Sequence, residues 1–299
     1  MTSDVIRQAH AVLDPTGDAD VLLTAMSRLD SVVVAFSGGV DSTVVLAAAL
    51  RALGPSRTLA ATADSPALAR EELRSARVTA EQLGAELTVL ATDELAVPGY
   101  RANAGDRCYF CKHTVLSRVT AVAGALGYRH VVTGTHSDDR RSGHRPGLRA
   151  AEELSIVEPL ADAGLGKAQV RGVAREWGLA VAEKPGSPCL ASRIAVGVPV
   201  SRERLELVER AEDSARSFLA ERHVPVRDLR VRILAQGFRI DLDADSHQWL
   251  GRRPDEAAAL LGRIGLIADS SAGTIAPYRP GGVSTLAALS GITQERPST

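Results

Sequence analysis

Short apolar runs alternate with longer amphipathic stretches over the first two thirds of the chain. The β-branched run at 31–36 is followed by a Gly-Gly turn and by 41–53, where apolar residues recur at helical spacing. The same alternation predicts further strands at 57–63, 86–91 and 129–135, and helices at 5–30, 66–83, 112–126 and 165–178. Strands that alternate with helices of this length predict an α/β fold, a parallel sheet with helices on both faces.

A segment rich in Pro, Gly and Ser at 184–201 separates this pattern from a different one. Beyond it the sequence predicts helices at 201–222 and 253–263 and strands at 228–234, 237–243 and 264–269. The predicted organisation is an α/β domain at 1–195, a small α+β domain for substrate binding or oligomerisation at 196–278, and a flexible tail at 279–299.

Composition narrows the range of partners. The 299 residues carry 35 Lys and Arg against 36 Asp and Glu, and aromatic residues make up 3%. A nearly neutral total charge gives no indication of a nucleic-acid partner, and so few aromatics argue against a base-stacking platform. The N-terminus has no signal-peptide core, and no window reaches the roughly 18 apolar residues of a membrane span. We therefore expect a cytoplasmic protein without nucleic-acid or membrane partners.

The stretch SGGVDST at 37–43 lies where a predicted strand turns into a helix. Gly38 and Gly39 allow a ligand to approach the backbone closely, and the amides of the first helical turn favour an anion. Asp41 is suited to hold Mg²⁺ against phosphate oxygens. The stretch is not a Walker A motif, and GLGKAQ at 164–169 lacks the spacing of one and is interpreted as a helix start.

In this context the stretch resembles the PP-loop of the N-type ATP pyrophosphatases, which attach AMP to a substrate oxygen and release pyrophosphate. The resemblance implies ATP and Mg²⁺, with the adenine beside the end of the second strand. At least one of Asp138 and Asp139 is expected to serve Mg²⁺ or nucleotide, with helix capping as the alternative. The expected ATP-binding residues are Ser37, Gly38, Gly39, Val40, Asp41, Ser42, Thr43, Ala63, Asp64, Ser65, Gly134 and Asp138.

The three cysteines of the chain offer a second kind of chemistry. Cys108 and Cys111 are spaced Cys-x-x-Cys at a loop-to-helix junction, between cations that favour the thiolate. With Cys189 they provide three thiolates, which fits a 4Fe–4S cluster with one open iron. A zinc site completed by His113 or His136, a thioredoxin-like redox pair and plain helix packing remain alternatives.

The order of these motifs resembles the LarE family, the ATP-dependent sulfur transferases that make the precursor of a nickel-pincer nucleotide. The segments that carry the resemblance are 35–43, 61–73, 107–112, 134–139, 145–154, 159–171 and 184–194. The resemblance implies that Cys189 delivers sulfur, either its own or one held by a cluster on Cys108, Cys111 and Cys189. The three-cysteine set resembles the cluster type. The implied substrate is pyridinium-3,5-biscarboxylic acid mononucleotide, and the implied assembly is a hexameric homo-oligomer.

An anionic substrate needs cations. Arg230 and Arg232 alternate along a predicted strand and therefore share one face. They resemble paired arginines of the family's second domain and are assigned to the substrate phosphate, with a solvated strand face as the alternative. Arg145 and Arg193 are candidates for the adenylate or the substrate carboxylate, or are structural ion-pair partners.

We therefore expect ATP on the loop to adenylate a carboxylate, after which sulfur delivered at Cys189 displaces AMP. The expected catalytic residues are Cys189, Lys112 and Asp41. A tRNA thiolase, an ammonia-dependent PP-loop synthetase and a non-catalytic iron–sulfur or nucleotide-binding module are the competing functions. No motif indicates the sulfide donor.

Overall fold

The computed structural model describes residues 17–141 and 146–279. The strands of its larger sheet are β1 (Val32–Ala35), β2 (Thr58–Asp64), β3 (Leu87–Ala91) and β4 (His130–Val132). They lie in the order β3-β2-β1-β4, and every neighbouring pair is parallel. The predicted α/β fold is confirmed, and the carboxyl ends of all four strands meet at one edge.

Helices connect these strands and follow them. In the described residues they are α1 (Asp18–Ser27), α2 (Val40–Leu53), α3 (Arg70–Gln82), α4 (Pro98–Ala102), α5 (Arg107–Ala125), α6 (Ser137–Arg141), α7 (Pro146–Glu153), α8 (Pro159–Asp162), α9 (Lys167–Glu176), α10 (Arg202–Ala220), α11 (Ala244–Gly251) and α12 (Pro254–Ala268). No helix in these residues is long and apolar enough to cross a membrane.

Alternate residues of β1 face the two sides of the sheet, as the period of two in a strand requires. Val32 and Val34 pack with α1, α2 and α9 in one apolar core. Val33 packs with α5 in another, on the opposite face. The sheet is therefore covered on both faces, and its carboxyl edge is left to the loops that carry the candidate chemistry.

A second, smaller sheet follows in the chain. It consists of β5 (Leu229–Ile233), β6 (Phe238–Leu242) and β7 (Gly273–Pro277), with β5 and β6 antiparallel and β6 and β7 parallel. Residues of α10, α11 and α12 pack against it in a separate apolar cluster. The domain boundary at residue 195 stays a prediction.

The structure departs from the sequence prediction in a few elements. The predicted strand at 264–269 is wrong, because these residues continue α12 and its C-cap. A short apolar run fits a buried strand and a buried helical turn equally well. The prediction also missed β7 and the short helices α4, α6, α7, α8 and α11. The part of helix 5–30 before residue 17, Arg145, and the tail beyond Arg279 lie outside the described residues.

The segment that carries Cys189 joins the two sheets. The backbone N–H of Leu190 donates to the carbonyl of Ala67, at 2.8 Å, beyond the carboxyl end of β2. The backbone N–H of Ala195 donates to the carbonyl of Ile233 in β5, at 2.9 Å. Cys189 is thereby held beside the carboxyl edge of the larger sheet.

Candidate active site

The phosphate loop turns sharply at Gly38. This residue has a φ of +70°, and a Cβ there would lie 2.8 Å from the Cα of Ala76 in α3. Both the backbone conformation and the contact with α3 therefore require glycine. Gly39 precedes α2, and Val40 is its first, buried residue. The N-terminus of α2 is thus set at the carboxyl edge of the sheet, where its amides favour an anion.

Hydroxyl groups brace this loop from within. Ser42 Oγ accepts the backbone N–H of Ser37 at 3.2 Å and donates to the carbonyl of Gly39 at 3.2 Å. Gly134, just after β4, packs so tightly that a Cβ there would lie 2.7 Å from the Ser42 nitrogen. Thr43 is buried, and its Oγ1 has no hydrogen-bond partner among the described residues. The loop is therefore held in one shape by its own hydrogen bonds and by contacts with α3 and with the segment after β4.

Lys167, the first residue of α9, reaches the phosphate loop. Its Nζ donates to both carboxylate oxygens of Asp41 at 2.7 Å. The interpretation of 164–169 as a plain helix start missed this contact. The available signal was a Gly-Lys pair at the N-terminus of a helix that packs beside the sheet, since such a terminus favours anions. Lys167 therefore places a positive charge beside the phosphate loop.

The two aspartates after β4 make different contacts. Asp138 Oδ2 accepts the backbone N–H of Lys167 at 2.7 Å, so Asp138 caps the start of α9. A Cβ on Gly166 would lie 2.8 Å from the same oxygen, which explains the glycine. Asp139 instead lines a cavity of about 480 Å³ at the carboxyl edge of the larger sheet, called the central cavity below. This contact of Asp138 is helix capping, which was the alternative interpretation of the residue. The role of Asp138 in ATP binding stays a prediction.

The end of β2 offers small side chains to the cavity. Ala63 and Ser65 line it, whereas Asp64 forms an ion pair with Arg70, with an O–N distance of 2.6 Å. Ser65 Oγ donates to the buried carboxylate of Glu94 at 2.8 Å. Ala63 and Ser65 are therefore placed to contact a ligand of this cavity, and Asp64 is engaged with Arg70.

One cavity of about 480 Å³ gathers residues of both predicted chemistries. A volume of this size is typical of sites for small ligands. Its lining includes Ser37, Asp41, Ser42, Gly134, Lys112, Cys108, Cys111 and Cys189. Phosphate-loop groups and all three thiols therefore face the same space.

The three cysteines differ in exposure. Cys108 is exposed, while Cys111 and Cys189 are partly buried. Burial, followed by the negative charges of Cys189, Glu94 and Cys108, raises the pKa of Cys111 well above its usual value. Thiolate activation by neighbouring cations is therefore wrong for Cys111, because burial outweighs the nearby Arg107. Cys111 and Cys189 also pack against the same apolar cluster.

The three thiols and two nearby histidines are the candidate ligands of a metal ion or cluster. In residues 17–141 and 146–279, no group of three His, Cys, Asp or Glu side chains is arranged to hold a metal ion. His113 packs on Tyr109, and His136 Nε2 lies 3.5 Å from Asp139, so neither histidine completes a zinc site. Three thiols on one cavity match an iron–sulfur cluster in kind.

Arg193 holds the backbone around Cys189. Its guanidinium donates to the carbonyl of Pro188 and, at 3.1 Å, to that of Cys189. The same guanidinium forms two bonds to the Glu212 carboxylate of α10, at 2.9 and 3.2 Å. The pair is buried, which makes it rigid and costly to break. Arg193 is a structural ion-pair partner here, and its role as a substrate ligand stays a prediction.

Asn103 joins the two cysteine segments. Its Nδ2 donates to the carbonyls of Ala195 and Val198 at 2.8 and 2.9 Å. Its Oδ1 accepts from Arg107 at 2.7 Å, and Arg107 begins the helix that carries Cys108. Sequence reasoning missed this clamp, although Asn103 is the only asparagine in the chain.

Arg230 and Arg232 are 6% and 3% exposed, so the solvated-face alternative is wrong. Arg232 forms an ion pair with Asp241 at 2.7 Å. Among the described residues Arg230 donates only to carbonyl groups, and burial and then the charge of Arg193 lower its pKa. Arg230 and Arg193 line a second cavity, of about 610 Å³, that Ser187 also borders. A buried cation beside the Cys189 segment thus lacks a carboxylate.

Lys112 lies on α5, four residues after Cys108. Its Nζ lies 3.3 Å from Thr135 Oγ1, and the side chain lines the central cavity. A Cβ on Gly147 of α7 would lie 3.1 Å from Lys112 Cδ, so α7 confines this side chain. Arg145 lies outside the described residues.

Known proteins share parts of this chain. Residues 23–135 match the family model described as NAD synthase. The uncharacterized protein slr1717 of Synechocystis sp. is 39% identical over 221 residues, 74% of this chain and 80% of that protein. The pyridinium-3,5-bisthiocarboxylic acid mononucleotide synthase of Lactiplantibacillus plantarum is 35% identical over 196 residues, 66% of this chain and 71% of that protein. The tRNA-specific 2-thiouridylase MnmA of Caulobacter sp. is 30% identical over 223 residues, 62% of this chain and 54% of that protein.

Proposed function

The chain belongs to the LarE family of ATP-dependent sulfurtransferases, and on that premise we propose its substrate and the source of its sulfur. The substrate is a pyridinium dicarboxylate mononucleotide, one carboxylate of which becomes a thiocarboxylate. One observation carries the proposal: the phosphate loop and all three cysteines line a single cavity. An adenylate formed at the loop would react with sulfur in the same cavity. It would not have to leave the site and be exposed to hydrolysis by water.

In the first step, a carboxylate oxygen of the substrate attacks the α-phosphorus of ATP, and the bond to pyrophosphate breaks. The loop at 37–43 binds the phosphates through its amides and hydroxyls. Asp41 would hold Mg²⁺, which neutralises phosphate charge when bound. Lys167, 2.7 Å from Asp41, supplies a further cation for the leaving pyrophosphate, and Lys112 supplies one more on the same cavity.

In the second step, sulfur delivered at Cys189 attacks the acyl carbon, and the carbon–oxygen bond to AMP breaks. We favour a borrowed sulfur. Cys108, Cys111 and Cys189 would hold a 4Fe–4S cluster that supplies a sulfide and leaves the cysteines intact. In the other route Cys189 gives up its own sulfur and becomes dehydroalanine. The three thiols on one cavity support the first route.

Arg230 is the proposed ligand of the substrate phosphate. A buried guanidinium without a carboxylate partner among the described residues is suited to an anion that arrives with the ligand. The second cavity, which Arg230 lines, is bordered by Ser187 and Leu190 on either side of Cys189. This position supports a substrate whose phosphate lies at Arg230 while its carboxylate reaches Cys189.

Substrate-dependent pyrophosphate release tests the proposal. The full-length protein, purified without oxygen, is mixed with ATP, Mg²⁺, sulfide and the mononucleotide, and pyrophosphate and thiocarboxylate are measured together. We expect the wild type to form both and Cys189→Ser to form pyrophosphate only. Ammonia-dependent amide formation by Cys189→Ser would instead indicate a synthetase.

Iron and sulfide analysis of the same preparation decides the sulfur source. The cluster route predicts bound iron and an unchanged Cys189 mass after turnover. An iron-free protein whose Cys189 loses its sulfur after one turnover would contradict it and support sacrifice.

A tRNA thiolase is the second candidate, because one relative is a tRNA-specific 2-thiouridylase. The net charge of −1 argues against it, since RNA binding relies on neutralising phosphates. Filter binding at low salt separates the two: we expect no retention of tRNA, whereas salt-sensitive retention would favour the thiolase.

A further inference from the structure

Tyr100 of α4 places a hydroxyl without a partner at the cysteine site. Its side chain is 1% exposed and packs with Leu190 and Ile194 in the cluster that also includes Cys111 and Cys189. It lines the central cavity, yet its Oη has no hydrogen-bond partner among the described residues. A buried phenol normally finds such a partner, because leaving it unpaired costs free energy. The missing acceptor is therefore something that the cavity holds.

The protein groups nearby do not take this hydrogen bond. Glu94 is also buried, but its two oxygens accept from Ser65 at 2.8 Å and from Thr92 at 3.0 Å. The cysteine sulfurs form no hydrogen bond with Oη either. The acceptor for the Tyr100 hydroxyl is therefore not a side chain of the described residues.

The packing around Tyr100 indicates which end of the cavity it serves. Tyr100 belongs to the same apolar cluster as Leu190, Cys111 and Cys189. A neutral phenol can donate a hydrogen bond. Both thiols line the cavity that Tyr100 also lines, so an atom that these thiols carry would share this space with the hydroxyl.

We propose that Tyr100 donates a hydrogen bond to the transferable sulfur held at the cysteine site. The acceptor is the anionic hydrosulfide held at that site, and the outer sulfur of a Cys189 persulfide stands in for it in the binding test below. A hydroxyl bond to such an anion stabilises it until the acyl carbon arrives. Tyr100 is thus a positioning residue for sulfur, and the inference rests on the sulfur-transfer role proposed above.

Tyr100→Phe tests this, because it removes only the hydroxyl and keeps the packed ring. The probe is sodium polysulfide, from which a Cys189 thiolate takes one sulfur atom by exchange while a polysulfide one atom shorter leaves. The full-length protein is treated without oxygen and desalted, and the sulfur that it retains is followed over time by cyanolysis. Tyr128→Phe, in the apolar cluster on the sheet face, is the matched control, and Cys189→Ser locates the sulfur.

We expect Tyr100→Phe to lose retained sulfur roughly tenfold faster than the wild type, while Tyr128→Phe matches the wild type. The thermal midpoint of Tyr100→Phe should be equal to or above that of the wild type, because no internal bond is lost. Equal retention in Tyr100→Phe, a wild type that retains no sulfur, or a Tyr100→Phe midpoint lower by more than about 5 °C would each overturn the inference.

Pyrophosphate release separates this outcome from a failure of the proposed function. We expect the wild type and the control Tyr128→Phe to release pyrophosphate at rates within twofold of each other when substrate and ATP are present. A wild type that retains sulfur but releases no pyrophosphate would contradict the adenylation step and leave the sulfur result to decide on Tyr100.

Discussion

Lys167 Nζ donates to both carboxylate oxygens of Asp41, at 2.7 Å, across 126 residues of sequence. The pair brings the start of α9 against the phosphate loop that follows β1. Both side chains are partly exposed, so an incoming phosphate can reach the ammonium. Lys167 therefore serves as the counter-ion of the loop carboxylate until nucleotide provides other anions.

Replacement of Lys167 by Met should slow pyrophosphate release about 100-fold, the usual effect of losing one preorganised charge partner of a transition state. Lys167→Arg keeps the charge and should recover part of the rate. Both variants are compared in the substrate-dependent pyrophosphate assay. Wild-type rates in Lys167→Met would show that the contact with Asp41 is structural only.

Arg230 and Arg232 form a matched pair for a test of substrate binding. Arg230→Met should leave the free energy of unfolding unchanged or raise it, because a buried charge without a carboxylate is removed. Its KM for the mononucleotide should rise at least about tenfold, because a charge-assisted bond to phosphate is lost.

Arg232→Met should instead destabilise the fold by about 2–4 kcal/mol, because it removes a partner of the buried Asp241. Urea denaturation and steady-state kinetics on both variants check these outcomes. A KM for Arg230→Met equal to the wild-type value would remove this residue from the substrate site.

Asn103 should be a stability hot spot that also governs sulfur transfer. Asn103→Gly tolerates the left-handed backbone, with φ of 50°, but leaves Arg107 and two buried carbonyls without their bonds. A loss of about 3 kcal/mol in the free energy of unfolding is expected. Asn103→Ala should lose about 1 kcal/mol more, because alanine is strained at positive φ.

The difference between these two variants, measured by urea denaturation, isolates the backbone contribution. If both variants were as stable as the wild type, the clamp between the cysteine segments would have no energetic role. We also expect slower sulfur transfer at unchanged pyrophosphate release in Asn103→Gly, since the clamp aligns Cys108 with the segment after Cys189.

The lowered pKa of Asp243 predicts how the free energy of unfolding depends on pH. Burial acts to raise its pKa, but bonds from the backbone N–H groups of Ser246, Arg227 and Asp228 outweigh burial and hold the pKa below its usual value. A carboxyl whose folded pKa is depressed stabilises the protein above its unfolded pKa, and this contribution is lost as pH falls through the folded pKa.

Asp243→Asn should therefore lower the free energy of unfolding by about 1 kcal/mol at pH 7. The difference from the wild type should shrink below about pH 4, the usual range of an aspartate. Urea titrations at several pH values check this. A difference that stays constant down to pH 3 would assign the effect to packing instead of charge.

Local patterns predicted the parallel sheet and the phosphate loop because their signal is contiguous. β1, the loop and α2 follow one another directly in the chain. Gly38 predicts the turn between them, and the structure has this turn. The Cys-x-x-Cys pair at the start of α5 is equally local. Motif order then placed Cys189 with this pair, and the cavity brings the three thiols together.

Contacts between distant segments were beyond such patterns. Lys167 and Asp41 meet only because α9 packs on α2, and no local rule connects the two positions. The local pattern also does not show which side chains are buried. Cys111 has a raised pKa because it is buried, and Arg230 and Arg232 are buried although their strand pattern also fits a solvated face. The run at 264–269 was predicted as a strand because a short apolar run does not by itself distinguish a strand from a helical turn; in α12 Ile264 is buried and Leu266 is exposed.

In the proposed reaction one carboxylate oxygen becomes part of AMP and is replaced by sulfur in the same cavity. Substrate with ¹⁸O in its carboxylate groups tests this directly, with mass spectrometry of the AMP and of the thiocarboxylate. The proposed reaction predicts that AMP gains one ¹⁸O atom, that the thiocarboxylate keeps one ¹⁸O beside its new sulfur, and that Cys189→Ser forms no thiocarboxylate. Unlabelled AMP, or release of ADP and phosphate in its place, would rule out adenylation of the carboxylate.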